Sequence, residues 1–231
     1  EKMRANLLRA VSHDLRTPLT GIIGASSSYL ENEERLTDQD KREMVRHRGE
    51  DADWLLNMVE NLLTVTRISE GRASVNKSLE PVEEVMSEAV FRLKKRIPDA
   101  NIRVLLPEEF IMIPMDAMLI EQVLINLMEN AVFHAGSSEP VECSVQIEKR
   151  DVTFLVTDQG VGIPEDKLTA IFDGTGQTEN SVADGHKGMG ISLAICKTIV
   201  TAHGGTIGAR NHGHGAQFYF TLPRSAEGIQ Q

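Results

Sequence analysis

Ser12-His13-Asp14-Leu15-Arg16-Thr17-Pro18-Leu19 lies inside a segment, residues 2–31, whose apolar positions recur as Leu8, Val11, Leu15, Pro18/Leu19, Ile22, Ser26 and Tyr29. Steps that alternate between three and four residues draw a heptad-like seam along one face of a helix. Polar residues 32–37 interrupt it, and Thr37 with Asp38 supplies a new helix start. A second seam runs through Leu55, Met58, Leu62 and Val65 to Ile68. Two long helices joined by a short polar loop make a helical hairpin. A lone hairpin leaves half of its apolar stripe uncovered. The sequence therefore predicts a homodimer, with two hairpins forming a four-helix bundle; the alternative is an intrachain contact with the rest of the chain.

His13 falls away from the seam and is expected to face outward, with Thr17 one turn later on the same face and Asp14 beside it. A neutral imidazole is a nucleophile, and a carboxylate that accepts the proton on one nitrogen presents the other to an electrophile. Pro18 has no backbone N–H and loosens the helical ladder next to this residue. A histidine on a bundle helix is ordinarily just solvated; the flanking block is what sets this one apart.

Beyond the hairpin, Gly71 is placed to stop the second helix, and residues 70–78 carry little apolar content, as a hinge does. The pattern then changes. It predicts a helix over 82–97 behind Pro81, strands at Ile102–Leu105 and Phe110–Ile113, and a long helix over 116–134. Strands follow near 141–149 and 152–157, then a helix at 189–203 and strands near 205–210 and 216–222. This order implies a two-layer α/β domain. The expected division is a hairpin domain over 1–71 and a second domain over 78–226, with 72–77 as the hinge.

The second domain holds a candidate cradle for ATP. Asn126 and Asn130 are one turn apart on the 116–134 helix, with Gln122 and Phe133 on the same side. Ile120, Leu124, Leu127 and Ala131 are expected to back that helix with core. Side-chain amides at this spacing suit phosphate oxygens and a hard cation. Asp158-Gln-Gly160-Val-Gly162 follows an apolar strand; a carboxylate there can accept an adenine amino group while glycines let the base approach the backbone. Gly188-Met189-Gly190 opens a helix and aims backbone N–H groups at phosphate. Thr175 to Lys187 reads as a lid, with Lys187 placed to meet phosphate. Each pattern alone is common; their conjunction in this order is not. The cradle would hold ATP and His13 would receive its γ-phosphoryl group.

Bulk properties agree. The chain has 231 residues, 41% of them apolar, enough for one large or two modest domains. A formal charge of −10 with no basic stripe speaks against a nucleic-acid surface. Cys143 and Cys196 are too few for a disulfide framework and read as small core residues of a cytoplasmic protein. No apolar run is long enough to span a membrane, so membrane attachment is expected only through an upstream sensor segment of a longer protein. His203, His212 and His214 sit near a helix end and a strand turn, where histidine is usually solvated or capping, without ligand spacing for a metal.

The block at 12–19 resembles the histidine box of two-component sensor histidine kinases. Gln122-Val-Leu-Ile-Asn126-Leu-Met-Glu-Asn130-Ala131 resembles their N box, and Asp158-x-Gly160-x-Gly162-Ile163 their first glycine box. Ile171-Phe172-Asp173 is similar to the start of the F box, and Gly188-Met189-Gly190 to the second glycine box. His203-Gly-Gly-Thr-Ile207 and Phe218-Tyr-Phe-Thr-Leu-Pro223 match as well, and Gly24-Ala-Ser-Ser-Ser28 is similar to the potassium-responsive Kdp-type group. The resemblance implies a dimerisation and phosphoacceptor hairpin followed by a Bergerat-type ATP-binding domain. It implies His13 as the phosphorylated residue, Asp14 as its acidic partner and Thr17 as the residue orienting water for hydrolysis of phospho-regulator. Asn130 would hold Mg²⁺, with Asn126 near the phosphates, and Asp158 would read adenine. The implied partner is the receiver domain of a response regulator, docked on the hairpin below His13.

Three departures stand out. Phe133 replaces a usual basic residue, a phosphate contact that Lys187 or His134 would have to supply; Ser192 replaces a third glycine; Asp173-Gly-Thr-Gly176 replaces the aromatic and basic continuation of the F box. Two rival functions follow from the same residues: an ATPase of the same nucleotide fold with another purpose, and a scaffold whose nucleotide site has decayed. His13, Asp14 and Thr17 argue against the first; Asn126, Asn130, Asp158 and both glycine pairs argue against the second.

Overall fold

In the computed structural model the described residues are 2–32, 34–69, 75–173 and 189–225. The side chains of 2–14, 17, 50, 53–54, 57–58, 60–62, 64–65, 67–69 and 189–191 fall outside the description. The chain divides into two compact units, Glu1–Thr66 and Arg67–Gln231.

The first unit is a pair of helices, α1 (Lys2–Asn32) and α2 (Asp38–Ser69). Its turn is closed by Thr37 at the start of α2. Asp40 N–H donates to Thr37 Oγ1 at 3.2 Å, and Asp40 Oδ2 accepts from Thr37 N at 3.0 Å, so two backbone donors of the first turn are satisfied reciprocally. Pro18 sits within α1 and is buried, while Leu15, Ile22 and Tyr29 are half-buried on the expected seam. Leu19, Ile23, Leu30, Val45, Leu56, Val59 and Leu63 are exposed along the hairpin. Gly71, expected to stop α2, lies outside the described residues, as do 70–74 of the expected hinge.

The second unit opens with β1 (Ser78–Pro81), continues into α3 (Val82–Arg96), β2 (Ile102–Leu105), β3 (Met112–Met115) and α4 (Ala117–His134), and closes with β4 (Val141–Ile147), β5 (Asp151–Thr157), α5 (Met189–Ala202), β6 (Thr206–His212) and β7 (Gly215–Pro223). Five strands form one mixed sheet in the order β2-β4-β5-β7-β6, parallel only between β2 and β4. The helices layer on it, α4 against β4 and β5, α5 against β6 and β7, and α3 against α4. This is the two-layer α/β arrangement the element order predicts. In the core, Ile120, Val123, Leu124, Leu127, Met128 and Ala131 of α4 are fully buried, as are Phe154 and Phe220, cross-strand partners whose rings stack at 4.6 Å.

One strand is displaced from its expected place. The strand is Met112–Met115 rather than Phe110–Ile113, and it joins β1 in a separate two-stranded ribbon, with Pro81 opposite Met112 and Ser78 opposite Met115. Phe110 is 68% exposed, and Ile111 spends its carbonyl on Val82 N–H at the start of α3, so neither continues a ladder. Ser78, read as part of the hinge stretch, is already in β1.

Candidate functional site

Asp116 starts α4 by accepting Leu119 N–H on Oδ1 at 3.3 Å, a side-chain cap. The helix then carries Asn126 and Asn130, both nearly buried. Asn126 is engaged at both ends of its amide: Oδ1 accepts from Gln122 Nε2 at 2.8 Å, and Nδ2 points to Cys196 Sγ at 3.8 Å. Asn130 donates Nδ2 to the Asn126 carbonyl at 2.7 Å, which directs its own Oδ1 elsewhere. Phe133 is 41% exposed in the last turn, and His134, half-buried, ends the helix.

Asp158, one residue past β5, is 4% exposed. Its Oδ1 accepts the N–H of Gly160 at 2.8 Å and of Ala216 at 3.2 Å, and its own N–H pairs with Ala216 O. Among the described residues no hydrogen bond reaches Oδ2, so one oxygen is anchored and the other is left for a donor from outside. Gly160 is pressed on the helix end: a Cβ there would lie 2.1 Å from Ala135 O. That contact brings the Asp158 turn against the C-terminal end of the asparagine helix. Gly162 adopts φ +72°, a conformation glycine takes without strain, and the following Ile163 exchanges two hydrogen bonds of 2.8 Å with the Asn211 amide.

α5 runs antiparallel beside α4. Asp116 at the start of α4 meets His203 just past α5, and Asn126 meets Cys196 about half-way back along α5. Continued in this antiparallel sense, the first turn of α5 runs toward the end of α4 that carries Asn130. A helix N-terminus beside a side-chain amide and a fixed carboxylate is a site for an anionic ligand with a polar head. Lys187 and Gly188 lie outside the described residues, as do the side chains of Met189 and Gly190. His13, Asp14 and Thr17 lie on α1 with their side chains outside the description.

The segment after the glycine turn is pinned at Phe172, buried and edge-on to Phe218 at 6.5 Å, and at Asp173, whose Oδ1 pairs with Lys197 Nζ at 2.7 Å. Three contributors escaped the sequence reading. Gly215 belongs to a tight turn that is visible in the sequence, but its task is not: a Cβ there would meet Asp158 O at 2.0 Å and Oδ1 at 2.7 Å. Ala216 acts through its backbone and Asn211 from another strand, and neither leaves a local signal. His203, expected to be solvated or capping, takes the capping role at the end of α5, with Nδ1 2.8 Å from Ile199 O, and is 1% exposed because α5 delivers it against the start of α4; His212 and His214 are exposed.

Two family models match. One, described as His Kinase A (phospho-acceptor) domain, covers residues 3–71; the other, Histidine kinase-, DNA gyrase B-, and HSP90-like ATPase, covers 115–226. The chain is 46% identical over 225 residues to the Sensor protein KdpD of Clostridium acetobutylicum and 37% identical over 230 residues to that of Escherichia coli, each match covering 97% of the chain. The chain belongs to the sensor histidine kinases. The kinase core spans a quarter of the length of each of these two relatives. Its fold is also that of histidine kinase ThkA, solved in complex with the response regulator protein TrrA, at TM-score 0.71 and 24% identity over 94% of this chain and 61% of that one. ATP use goes with the second family model. No helix among the described residues is long and apolar enough to cross a membrane.

Proposed function

We propose that this kinase core moves the γ-phosphoryl group of ATP to His13 and then to an aspartate of a response regulator receiver domain. The observation that carries the reading is the fixed carboxylate of Asp158, with one oxygen held by Gly160 and Ala216 and the other available to an adenine amino group, at the end of a helix that presents Asn130.

Phosphoryl transfer asks a protein mainly for positioning and charge compensation. Asp158 would fix the base, and the N–H groups opening α5 near Gly188 and Gly190 would face phosphate. His134, one turn after Asn130, and Lys187 are the basic residues of the sequence that would offset the one missing at Phe133. The donor set fits a hard cation: Asn130 spends its Nδ2 on Asn126 O, so a neutral carbonyl oxygen remains. Mg²⁺ held there would compensate charge on the phosphate oxygens. Asn126, tied at both amide ends, holds Gln122 and α5 in place behind Asn130. At His13 a P–N bond forms as the bond from the γ-phosphorus to its bridging oxygen breaks, and ADP leaves with that electron pair. Asp14 orients the imidazole, and Thr17 serves the reverse hydrolysis of phospho-regulator.

The exposed leucines, valines and isoleucine along the hairpin support a homodimer built on α1 and α2. The KdpD relatives, about four times as long, support a cytoplasmic core whose membrane contact comes only through an upstream segment, and a potassium-linked signal. The test is a labelling experiment with γ-labelled ATP and Mg²⁺ under alkaline conditions that preserve phosphohistidine. The wild-type chain should take up acid-labile label, and H13Q should bind ATP yet take none. Label kept by H13Q would place the acceptor elsewhere.

A further inference from the structure

The end of the α4–α5 pair away from Asn130 and Gly190 carries a polar cluster that phosphoryl transfer, as read above, does not use. His203 Nε2 accepts the backbone N–H of Asp116 at 3.0 Å, and Nδ1 lies 2.8 Å from Ile199 O. A ring that accepts at Nε2 must carry its proton on Nδ1 and donate it to Ile199, so it is neutral and held in one tautomer. Burial holds its pKa below the ordinary histidine value of 6.5, the more so beside Lys77, while the Ile199 carbonyl and the Asp116 carboxylate oppose the shift. Asp116 is itself divided three ways. Its N–H goes to His203, Oδ1 caps Leu119, and Oδ2 accepts the backbone N–H of Asn76 at 3.3 Å. Lys77 completes the cluster by donating Nζ to the His203 carbonyl at 2.9 Å.

Asn76 and Lys77 belong to the stretch through which the chain passes from α2 into the second unit. That stretch, the start of α4 and the end of α5 therefore meet at His203 and Asp116: the ring joins α5 to α4, and the His203 carbonyl and Asp116 carboxylate hold the stretch. We propose that His203 is a positioning residue for phosphoryl transfer, a clasp that sets the register of α5 against α4 and ties both to the chain arriving from the hairpin. The proposal rests on the nucleotide reading above. A helix of 14 residues is a stiff rod of about 20 Å, so where its last turn is gripped decides where its first turn meets Asn130. A proton on Nε2 would face the Asp116 N–H and open the clasp. Because the folded-state pKa is depressed, the clasp's contribution is complete above the ordinary histidine range and is lost as pH falls through the lowered value. Among the described residues the charged groups known to face the ring are Lys77 from the linking stretch and Asp116 from the start of α4.

The test uses the full chain, with Mg-ATP affinity by calorimetry and the single-turnover rate of His13 labelling at saturating ATP. H203N keeps a short amide beside Ile199 but cannot reach Asp116; it should label about tenfold more slowly while affinity changes about threefold or less. H203Q, whose amide oxygen reaches the Nε2 position, should recover most of that rate. It should also lack the part of the wild-type fall in rate, below the ordinary histidine range, that titration of an imidazole at 203 produces. K77M, which alters no buried ring, should slow labelling with an unchanged melting midpoint, and it decides the matter if H203N does not fold. Wild-type rates in H203N and K77M, equal losses in H203N and H203Q, or a rate loss fully matched by lost affinity would overturn the proposal. A wild-type chain that takes no label would overturn the reading beneath it and the proposal together.

Discussion

Asp158 owes its position to atoms that are not its own. Its Oδ1 is held by two backbone N–H groups, and Gly215 leaves no room for a side chain beneath it. A Cβ at 215 would collide with backbone, which no rotamer change relieves. G215A is therefore expected to weaken Mg-ATP binding by about tenfold or more, since displacing the carboxylate costs at least one charge-assisted hydrogen bond. Calorimetry reads this directly, and an affinity equal to wild type would mean that the turn absorbs the methyl group. D158N should weaken binding too but leave the sedimentation behaviour of the chain unchanged, whereas T17A should label normally and slow only the dephosphorylation of the regulator. The two thiols give a different kind of check. Burial pushes both Cys143 and Cys196 up to about 12. Neither should react with a thiol reagent at pH 8 until the chain is unfolded, and rapid labelling of the native protein would contradict that burial.

At the scale of elements, α2 begins with a reciprocal cap. Thr37 holds the Asp40 carboxyl below its ordinary range through its hydroxyl and its backbone N–H. A lowered folded-state pKa means that the cap's contribution is present above the ordinary aspartate range and disappears as pH falls through the lowered value. T37A should lower the urea midpoint of the hairpin transition at pH 7, and the difference from wild type should shrink toward pH 3. An undiminished difference would assign the effect to something other than this carboxylate. The same scale explains what the sequence made legible. Helices and central strands were readable because their buried positions leave either a period or, as in β5, an unbroken apolar run in the sequence. The ribbon of β1 and β3 was not, because four residues that pair with partners 31 to 37 positions further along the chain carry too short a pattern. In the site, Asn130, Asp158 and the glycines were legible as motif residues. Asn211, Ala216 and the burial of His203 were not, since each depends on which strand or helix arrives opposite.

For the molecule as a whole, the boundary between Thr66 and Arg67 separates two kinds of work. A chain cut there should yield a piece from Arg67 onward that is monomeric by sedimentation and still binds Mg-ATP, while self-association stays with the hairpin. A monomeric intact chain, or a dimeric second piece, would reverse that assignment. The order of strands has a further consequence. Asp158 comes one residue past β5, and the neighbour of β5 in the sheet is β7, which brings Gly215 and Ala216 to the carboxylate, Ala216 from 58 residues further along the chain. During synthesis, then, a chain that has emerged only through the asparagine helix and the central strand still lacks the groups of β7 that hold this carboxylate. The carboxylate should take its anchored place only once β7 has emerged and paired with β5, so nascent chains halted before Ala216 are expected not to bind Mg-ATP.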